Sequence, residues 1–191
     1  LDDPLARFIP AFADRQIVTG GDSGHPQLAP APRAITLRHL LTHTSGLGYA
    51  GIGKTQVDAR LRALGVVPAL VSRRRIKGIN DGPPCPGPDE FLRLTASVPL
   101  LAEPGSRWSY SMGLDVLGLV IGRVAGTSFE QFVKDRIFGP CGMTNSFFRV
   151  PESAMPRLTT NYGYFLGSPV AIDKPGRSIY QDPIPFAFGG S

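Results

Sequence analysis

The sequence predicts a single domain that consists mainly of a helical lobe with long loops. Apolar residues recur at three- and four-residue steps over 113–125, which indicates a helix that Gly126 ends. Ser128 can cap a second helix over 128–138. The 191 residues include 19 prolines and 23 glycines, so long turn-rich connections must separate the regular elements. With 42% hydrophobic residues, the chain is long enough to bury a sizeable core.

The first part of the chain predicts short helical segments on either side of a loop. An amphipathic segment comes first, with apolar residues at Leu5, Phe8, Ile9 and Phe12. The stretch 20–32 is rich in Gly, Pro, Asp and Ser, and it is predicted to be a loop. Thr36 can then cap a helix that runs to about His43, with Gly46 as its terminator. The buried face of that helix would carry Leu37, Leu40 and Leu41.

The middle and the end of the chain predict more loop than regular structure. Residues 66–88 contain Pro, Gly and Arg with few periodic apolar residues, which indicates an exposed loop. Asp89 can cap a short helix that ends near Pro99. Beyond residue 151, aromatic residues are scattered among turn-forming residues, so irregular backbone is predicted there.

Composition argues against several classes of partner. The formal net charge is +5, and part of it lies in one run, at Arg73, Arg74, Arg75 and Lys77. We interpret this run as a solvated loop and expect no nucleic-acid partner. Cys85 and Cys141 lie far apart without metal-ligand spacing, and no stretch of 18 apolar residues exists. Neither a cofactor nor a membrane span is predicted, and the compartment and oligomeric state stay open.

A pair of histidines has the spacing of a zinc-binding helix. His39 and His43 would lie one turn apart on the predicted helix. The glutamate that such a helix carries after its first histidine is replaced by Leu40, and only His25 remains as a further histidine. No metal site is predicted.

A second motif resembles a phosphate-binding loop. Residues 48–55 read G-Y-A-G-I-G-K-T, which satisfies the pattern of four residues between glycines followed by Gly-Lys-Thr. Such a loop needs a buried strand before it, so that its amides converge on the phosphates. The residues before Gly48 predict a helix and a turn instead. Nucleotide binding stays open as an alternative function, and so does a role as a non-catalytic interaction module.

The stretch around Tyr110 carries the most chemical information in the chain. Pro104 and Gly105 form a turn, and the helix over 113–125 follows, so Trp108 to Ser111 is irregular backbone between two fixed elements. Irregular backbone on a rigid support is typical of catalytic side chains. Trp108 itself is expected to pack rather than to take part in chemistry.

Three segments in order resemble one family of enzymes. They are L-D-D-P-L at 1–5, I-T-L-R-H-L-L-T-H-T-S-G-L at 35–47, and P-G-S-R-W-S-Y-S at 104–111 with D-V-L-G at 115–118. Together they resemble the penicillin-recognising serine hydrolases, which include class C β-lactamases, D-alanyl-D-alanine carboxypeptidases and related esterases. The resemblance implies an α/β serine β-lactamase-like fold, of which this chain would form mostly the helical lobe.

The resemblance also implies an acyl-enzyme mechanism and a role for Tyr110. In this family a serine attacks an acyl carbonyl, a lysine three residues later helps to deprotonate it, and a tyrosine relays the proton. Tyr110 matches that tyrosine. No Ser-x-x-Lys occurs in the chain, so the nucleophile is expected upstream of Leu1 and the third family motif downstream of Ser191. Residues 1–191 are therefore expected to be a partial domain that is inactive alone.

One departure from the family pattern bears on the substrate. β-Lactamases of the group usually carry Asn two residues after the tyrosine, where its amide contacts substrate, whereas this chain has Met112. Met112 is accordingly predicted to lie at a substrate-binding position. The arrangement resembles the esterase branch, which implies a small-molecule ester or amide as substrate.

Overall fold

The computed structural model describes residues 1–22, 25–50, 53–68, 73, 77, 81–184 and 186. The α-helices of this part of the chain are α1 (Leu37–Leu41), α2 (Gln56–Ala63), α3 (Pro88–Ser97), α4 (Gly113–Ala125) and α5 (Phe129–Val133). A π-helical turn, Lys134–Phe138, continues α5. Short 3₁₀ turns lie at Leu5–Arg7, Pro10–Phe12, Glu152–Arg157 and Ile179–Gln181.

Two antiparallel hairpins accompany the helices. The first pairs β1 (Gln16–Gly21) with β2 (Pro26–Pro30), and the second pairs β3 (Asn161–Phe165) with β4 (Ser168–Asp173). The predictions of a loop over 20–32 and of irregular backbone beyond residue 151 are therefore wrong in these segments. Both hairpins leave most of their side chains exposed or half-buried, so they lack the apolar alternation that marks a strand in a sequence.

The first hairpin is joined to the helices through the segment at Leu100. The backbone N–H of Leu100 donates to Gln16 O at 2.7 Å, and Leu100 O accepts from Val18 N at 2.9 Å. The next residue, Leu101, donates its N–H to Gly46 O at 2.7 Å. The chain after α3 thus lies between β1 and the turn that follows α1.

Helix α1 is capped as predicted but is shorter than predicted. The Thr36 side chain accepts from His39 N, and His39 Nδ1 accepts from Thr36 N at 3.2 Å, which closes a reciprocal capping box. The helix ends at Leu41, whose side chain is exposed and not buried as predicted. His43 lies beyond the helix with a φ of 53°. The two histidines therefore do not share a helical face, and the zinc-type spacing has no structural counterpart.

Helix α3 begins one residue before the predicted cap. Gly87 is the residue at its N-cap and Pro88 occupies the first turn, where the missing N–H of proline costs no hydrogen bond. Asp89 lies in that first turn and does not cap the helix. Its carboxylate instead accepts from Arg123 of α4 at 2.7 Å, which links the two helices at the surface.

Helix α4 has the predicted bounds and the predicted end. Gly126 adopts a φ of 67°, and its backbone N–H caps the last turn by donating to Arg123 O and Gly122 O. The Ser128 side chain then accepts from Gln131 N at 3.1 Å and caps α5, as the sequence indicated. The second predicted helix is thus found, although its last turn is π-helical.

The core lies where the N-terminal segment meets the first four helices. Its largest fully buried side chains include Leu5, Phe12, Ile35, Leu40, Leu61, Phe91, Leu92, Leu100, Met112 and Val116. Among the described residues, no single helix has the length and apolarity to cross a membrane. The pair Gly113–Ala125 and Phe129–Phe138 meets both criteria only when the two are taken together across a 79° bend.

Candidate active site

Tyr110 lies on an irregular segment that is hydrogen-bonded to the turn after α1. Gly105 N donates to Thr44 O at 2.7 Å, Ser109 N to His43 O at 2.8 Å, and Met112 N to Gly48 O at 3.2 Å. The segment is therefore irregular in dihedral angle but fixed at both ends and in its middle. Tyr110 is 41% exposed, so the phenol stands on a rigid frame and remains accessible.

Aromatic rings surround Tyr110. Its ring stacks on the imidazole of His43, with centroids 4.8 Å apart and planes 28° apart. The ring of Tyr49 meets it edge to face, with centroids 5.1 Å apart. Trp108 touches His43 with a centroid distance of 6.0 Å, and 66% of its surface is exposed. Two aromatic contacts thus fix the orientation of the tyrosine ring.

His43 is a half-buried residue with a defined tautomer. Its Nδ1 accepts the backbone N–H of Ser111 at 3.2 Å, and Ser111 Oγ lies 3.2 Å from the same nitrogen. A nitrogen that accepts from a backbone N–H carries no proton, so the imidazole is neutral with its proton on Nε2. Burial lowers the pKa of His43, which also favours the neutral ring.

Tyr49 is a second phenol beside Tyr110, but its environment keeps it protonated. Burial raises the pKa of Tyr49 to about 12, and the negative charges of Asp115 and of ionised Tyr110 contribute further. A phenol with so high a pKa gives up its proton less readily than a free tyrosine. Neither Tyr49 nor His43 was given a role beside Tyr110 from the sequence, although His43 lies inside the 35–47 motif and Tyr49 two residues beyond it.

The carboxylate of Asp58 holds together the two ends of the segment that resembles a phosphate-binding loop. The structure describes residues 48–50 and 53–55 of this segment. The carboxylate of Asp58 on α2 accepts from Tyr49 N at 2.8 Å and from Thr55 N at 2.9 Å. A Cβ placed on Gly53 would lie only 2.0 Å from Asp58 Cγ, so glycine is required for this approach. In the described chain no strand leads directly into Gly48, because α1 and an irregular turn lie between β2 and this loop. The side chain of Asp58 thus already accepts from two backbone N–H groups of this loop, which a bound phosphate would need as donors.

Met112 lies beneath the site rather than on its surface. Its side chain is fully buried, and its sulfur accepts from Thr95 Oγ1 at 3.6 Å. This contact gives Met112 a packing role between α3 and the start of α4. Its predicted contact with substrate stays a prediction.

The described residues bring no three His, Cys, Asp or Glu side chains together in a way that could hold a metal ion. His39 is engaged elsewhere, because its ring caps α1. Burial, followed by the positive charge of Arg33, lowers the pKa of His39.

Comparison with known sequences identifies relatives among esterases and acyltransferases. The esterase EstB of Burkholderia gladioli is 37% identical over 151 residues, which are 78% of this chain and 32% of that protein. The acyltransferase calJ of Penicillium decumbens is 33% identical over 77% of this chain and 31% of its own length. The chain thus spans about a third of the length of these curated relatives, at 32% and 31%.

Comparison with solved structures also identifies hydrolases and acyltransferases as similar proteins. EstCE1, described as a hydrolase with promiscuous acyltransferase activity, matches 100% of this chain and 47% of its own, with a TM-score of 0.72 and 27% identity. A mutant of simvastatin synthase from Aspergillus terreus matches 100% of this chain and 41% of its own, with a TM-score of 0.69 and 25% identity. These similarities confirm the predicted α/β serine β-lactamase-like fold.

A family model described as Beta-lactamase matches residues 1–183, nearly the whole chain. The curated relatives with named activities include esterases and acyltransferases, which supports a serine-hydrolase type of enzyme at the level of the family. The chain belongs to the β-lactamase family.

Proposed function

We propose that the whole protein is a serine hydrolase or acyltransferase that carries the acyl group of a small ester or amide on a serine. The observation that carries the proposal is Tyr110, an accessible phenol that hydrogen bonds and ring contacts hold in one orientation. Catalytic side chains need this combination of access and fixed geometry. The esterase and acyltransferase activities of the relatives support the same reaction class.

The nucleophile of this reaction is a serine outside the 191 residues. In this sequence Gly51, Arg74, Gln131 and Ala171 stand three residues before the lysines, so none of the lysines belongs to a Ser-x-x-Lys. The serine oxygen attacks the acyl carbonyl carbon, and its proton passes through Tyr110 to the leaving oxygen or nitrogen. Water or an alcohol then attacks the acyl-enzyme, which releases an acid or a new ester. We expect the isolated chain to catalyse neither step.

We propose esters rather than β-lactams as the preferred substrates. The position two residues after Tyr110 carries Met112, whose side chain is buried and has no amide group. The side-chain amide of an asparagine at this position could donate to the carbonyl of the acylamino side chain that penicillins and cephalosporins carry. A simple ester has no such group, so the absence of the amide costs an ester less. The proposal predicts a higher kcat/KM for p-nitrophenyl esters than for a chromogenic cephalosporin.

The substitution Tyr110→Phe in the whole protein tests the proposal. Phenylalanine keeps the ring and its contacts but removes the oxygen that moves the proton. We expect kcat for a p-nitrophenyl ester to fall by about 10²- to 10⁴-fold, the usual size of a general acid–base contribution. The matched control is Tyr164→Phe on β3, an exposed tyrosine that should keep wild-type kcat. An unchanged kcat in Tyr110→Phe would refute the proposed role.

A further inference from the structure

His43 contacts each of three consecutive residues centred on Tyr110. Its backbone oxygen accepts from Ser109 N at 2.8 Å, its ring stacks on Tyr110 at 4.8 Å, and its Nδ1 accepts from Ser111 N at 3.2 Å. Sixty-eight positions separate His43 from Ser111 in the sequence. One residue therefore restrains the backbone before the tyrosine, the tyrosine ring, and the backbone after it.

These three contacts control the placement of the phenol oxygen. The two backbone bonds hold the peptide group between Trp108 and Ser109 and the one between Tyr110 and Ser111, so the direction of the Tyr110 Cα–Cβ bond is restrained. The stacked imidazole then restricts rotation of the phenol about that bond. A relay tyrosine must hold its oxygen within about 0.5 Å of the productive position.

The backbone conformation of His43 fits this task. Its φ of 53° lies in the left-handed region, which histidine and asparagine adopt more readily than most other residues. That conformation brings both the carbonyl and the ring of His43 toward the same segment. Few side chains combine tolerance of this φ with an acceptor atom and a flat ring.

We propose that His43 is a positioning residue for Tyr110, which it holds through the neutral ring and through the backbone. The inference rests on the proposed function, since it assumes that Tyr110 relays a proton. His43 itself takes no proton in the reaction, because Nδ1 is occupied by Ser111 N–H and the ring face is covered by the tyrosine.

Two substitutions of His43 in the whole protein separate its contacts. His43→Ala removes the ring and the acceptor, and we expect kcat for a p-nitrophenyl ester to fall by about 10²-fold, the usual cost of misplacing a reacting group by about 1 Å. His43→Asn supplies an oxygen near the place of Nδ1 and tolerates the left-handed φ. We expect it to recover a large part of the loss. KM should change little in either variant.

The exposed residue His25 provides the matched control. Its imidazole is almost fully exposed and lies far from Tyr110 in the sequence, so His25→Ala should leave kcat unchanged. Near-ultraviolet circular dichroism and thermal unfolding identify any variant that has lost its fold. If His43→Ala does not fold, the His43→Asn variant still tests the inference. Asparagine has no ring to stack on Tyr110, so the inference requires a lower kcat in His43→Asn than in the wild type.

A double-mutant cycle decides whether His43 acts through Tyr110. If it does, adding His43→Asn to Tyr110→Phe should reduce kcat no further, because the oxygen to be placed is already absent. If the losses in kcat of the two single variants instead add fully in the double variant, the inference about His43 is overturned and the role of Tyr110 is unaffected. A wild-type kcat in His43→Asn would have the same meaning. If Tyr110→Phe alone retains wild-type kcat, the proposed function is the part that fails.

Discussion

The carboxylate of Asp58 accepts the backbone N–H of Tyr49 at 2.8 Å, and thereby ties helix α2 to the aromatic wall of the candidate site. The same carboxylate accepts from Thr55 N at 2.9 Å, so it spans the loop from one end to the other. Arg62, one turn further along α2, donates to Ala50 O at 2.7 Å. Because the ring of Tyr49 packs against Tyr110, α2 supports the site without contributing a side chain to it.

Substitution of Asp58 by Asn should therefore weaken both the fold and the site. The amide replaces one acceptor with a donor that faces an N–H group, and the side chain is buried. We expect the free energy of unfolding of the whole protein to fall by about 1–3 kcal/mol, measured by urea denaturation. Asp135→Asn, at an exposed carboxylate that accepts from Gln131, is the control. An equal loss in the two variants would contradict this account.

Acidification below neutral pH should destabilise the protein through two histidines. Burial is the main cause that lowers the pKa values of His43 and His39 in the folded state. An unfolded histidine has a pKa of about 6.5, so near and below this pH the unfolded chain binds more protons than the folded chain. The stabilisation is complete above that pH and is lost as the pH falls toward the lowered values. We expect the urea midpoint to decrease between about pH 7 and pH 5, where most carboxylates stay ionised.

Histidine titration by NMR checks the cause of this pH dependence. The ring resonances of His39 and His43 should titrate below the pKa of an unfolded histidine. A pKa at or above about 6.5 for both residues would remove the explanation. In the His43→Asn variant the decrease in midpoint should become smaller, because only His39 then contributes.

Gly113 at the start of α4 should tolerate no side chain. A Cβ there would lie 2.8 Å from Leu40 O and 3.2 Å from Leu40 Cα, both backbone atoms of α1 that cannot move alone. Gly113→Ala should destabilise the whole protein by about 1–3 kcal/mol, the usual cost of overpacking. Gly87→Ala is the control, since no atom lies within 4 Å of a Cβ at that position. A thermal unfolding curve for each variant distinguishes the two positions.

The alternative that residues 48–55 bind a nucleotide can be tested at Lys54. The loop amides of Tyr49 and Thr55 already bind the carboxylate of Asp58, whose charge would repel a phosphate. We therefore expect no saturable binding of ATP in calorimetry and nearly unchanged ester hydrolysis in Lys54→Ala. Micromolar ATP binding that Lys54→Ala abolishes would instead make this loop the functional site.

Local signals in the sequence predicted the helices better than the hairpins. Gly126 and Ser128 act at the ends of α4 and α5 as predicted, because capping depends on residues within one turn. Strand pairing in β1–β2 and β3–β4 depends instead on backbone bonds between segments whose side chains remain largely exposed. The apolar pattern along these strands carries no information about that pairing.

The candidate site was predicted in part for a related reason. The irregular segment of Tyr110 follows from a turn before it and a helix after it, both of which are local features. The contributions of His43 and Tyr49 arise from contacts across distant parts of the chain. Helical periodicity placed His43 on α1, whereas its positive φ turns it away from the helix and toward Tyr110.

The prolines that bound β2 bear on how the chain behaves at high concentration. The segment at Leu100 covers one side of β1, so β2 forms the outer edge of this pairing in the described part of the chain. Pro26 and Pro30 have no N–H to offer to a strand of another molecule. An edge strand of five residues with two missing donors is a poor template for intermolecular β-pairing. The two prolines of β2 therefore disfavour aggregation through this edge of the hairpin.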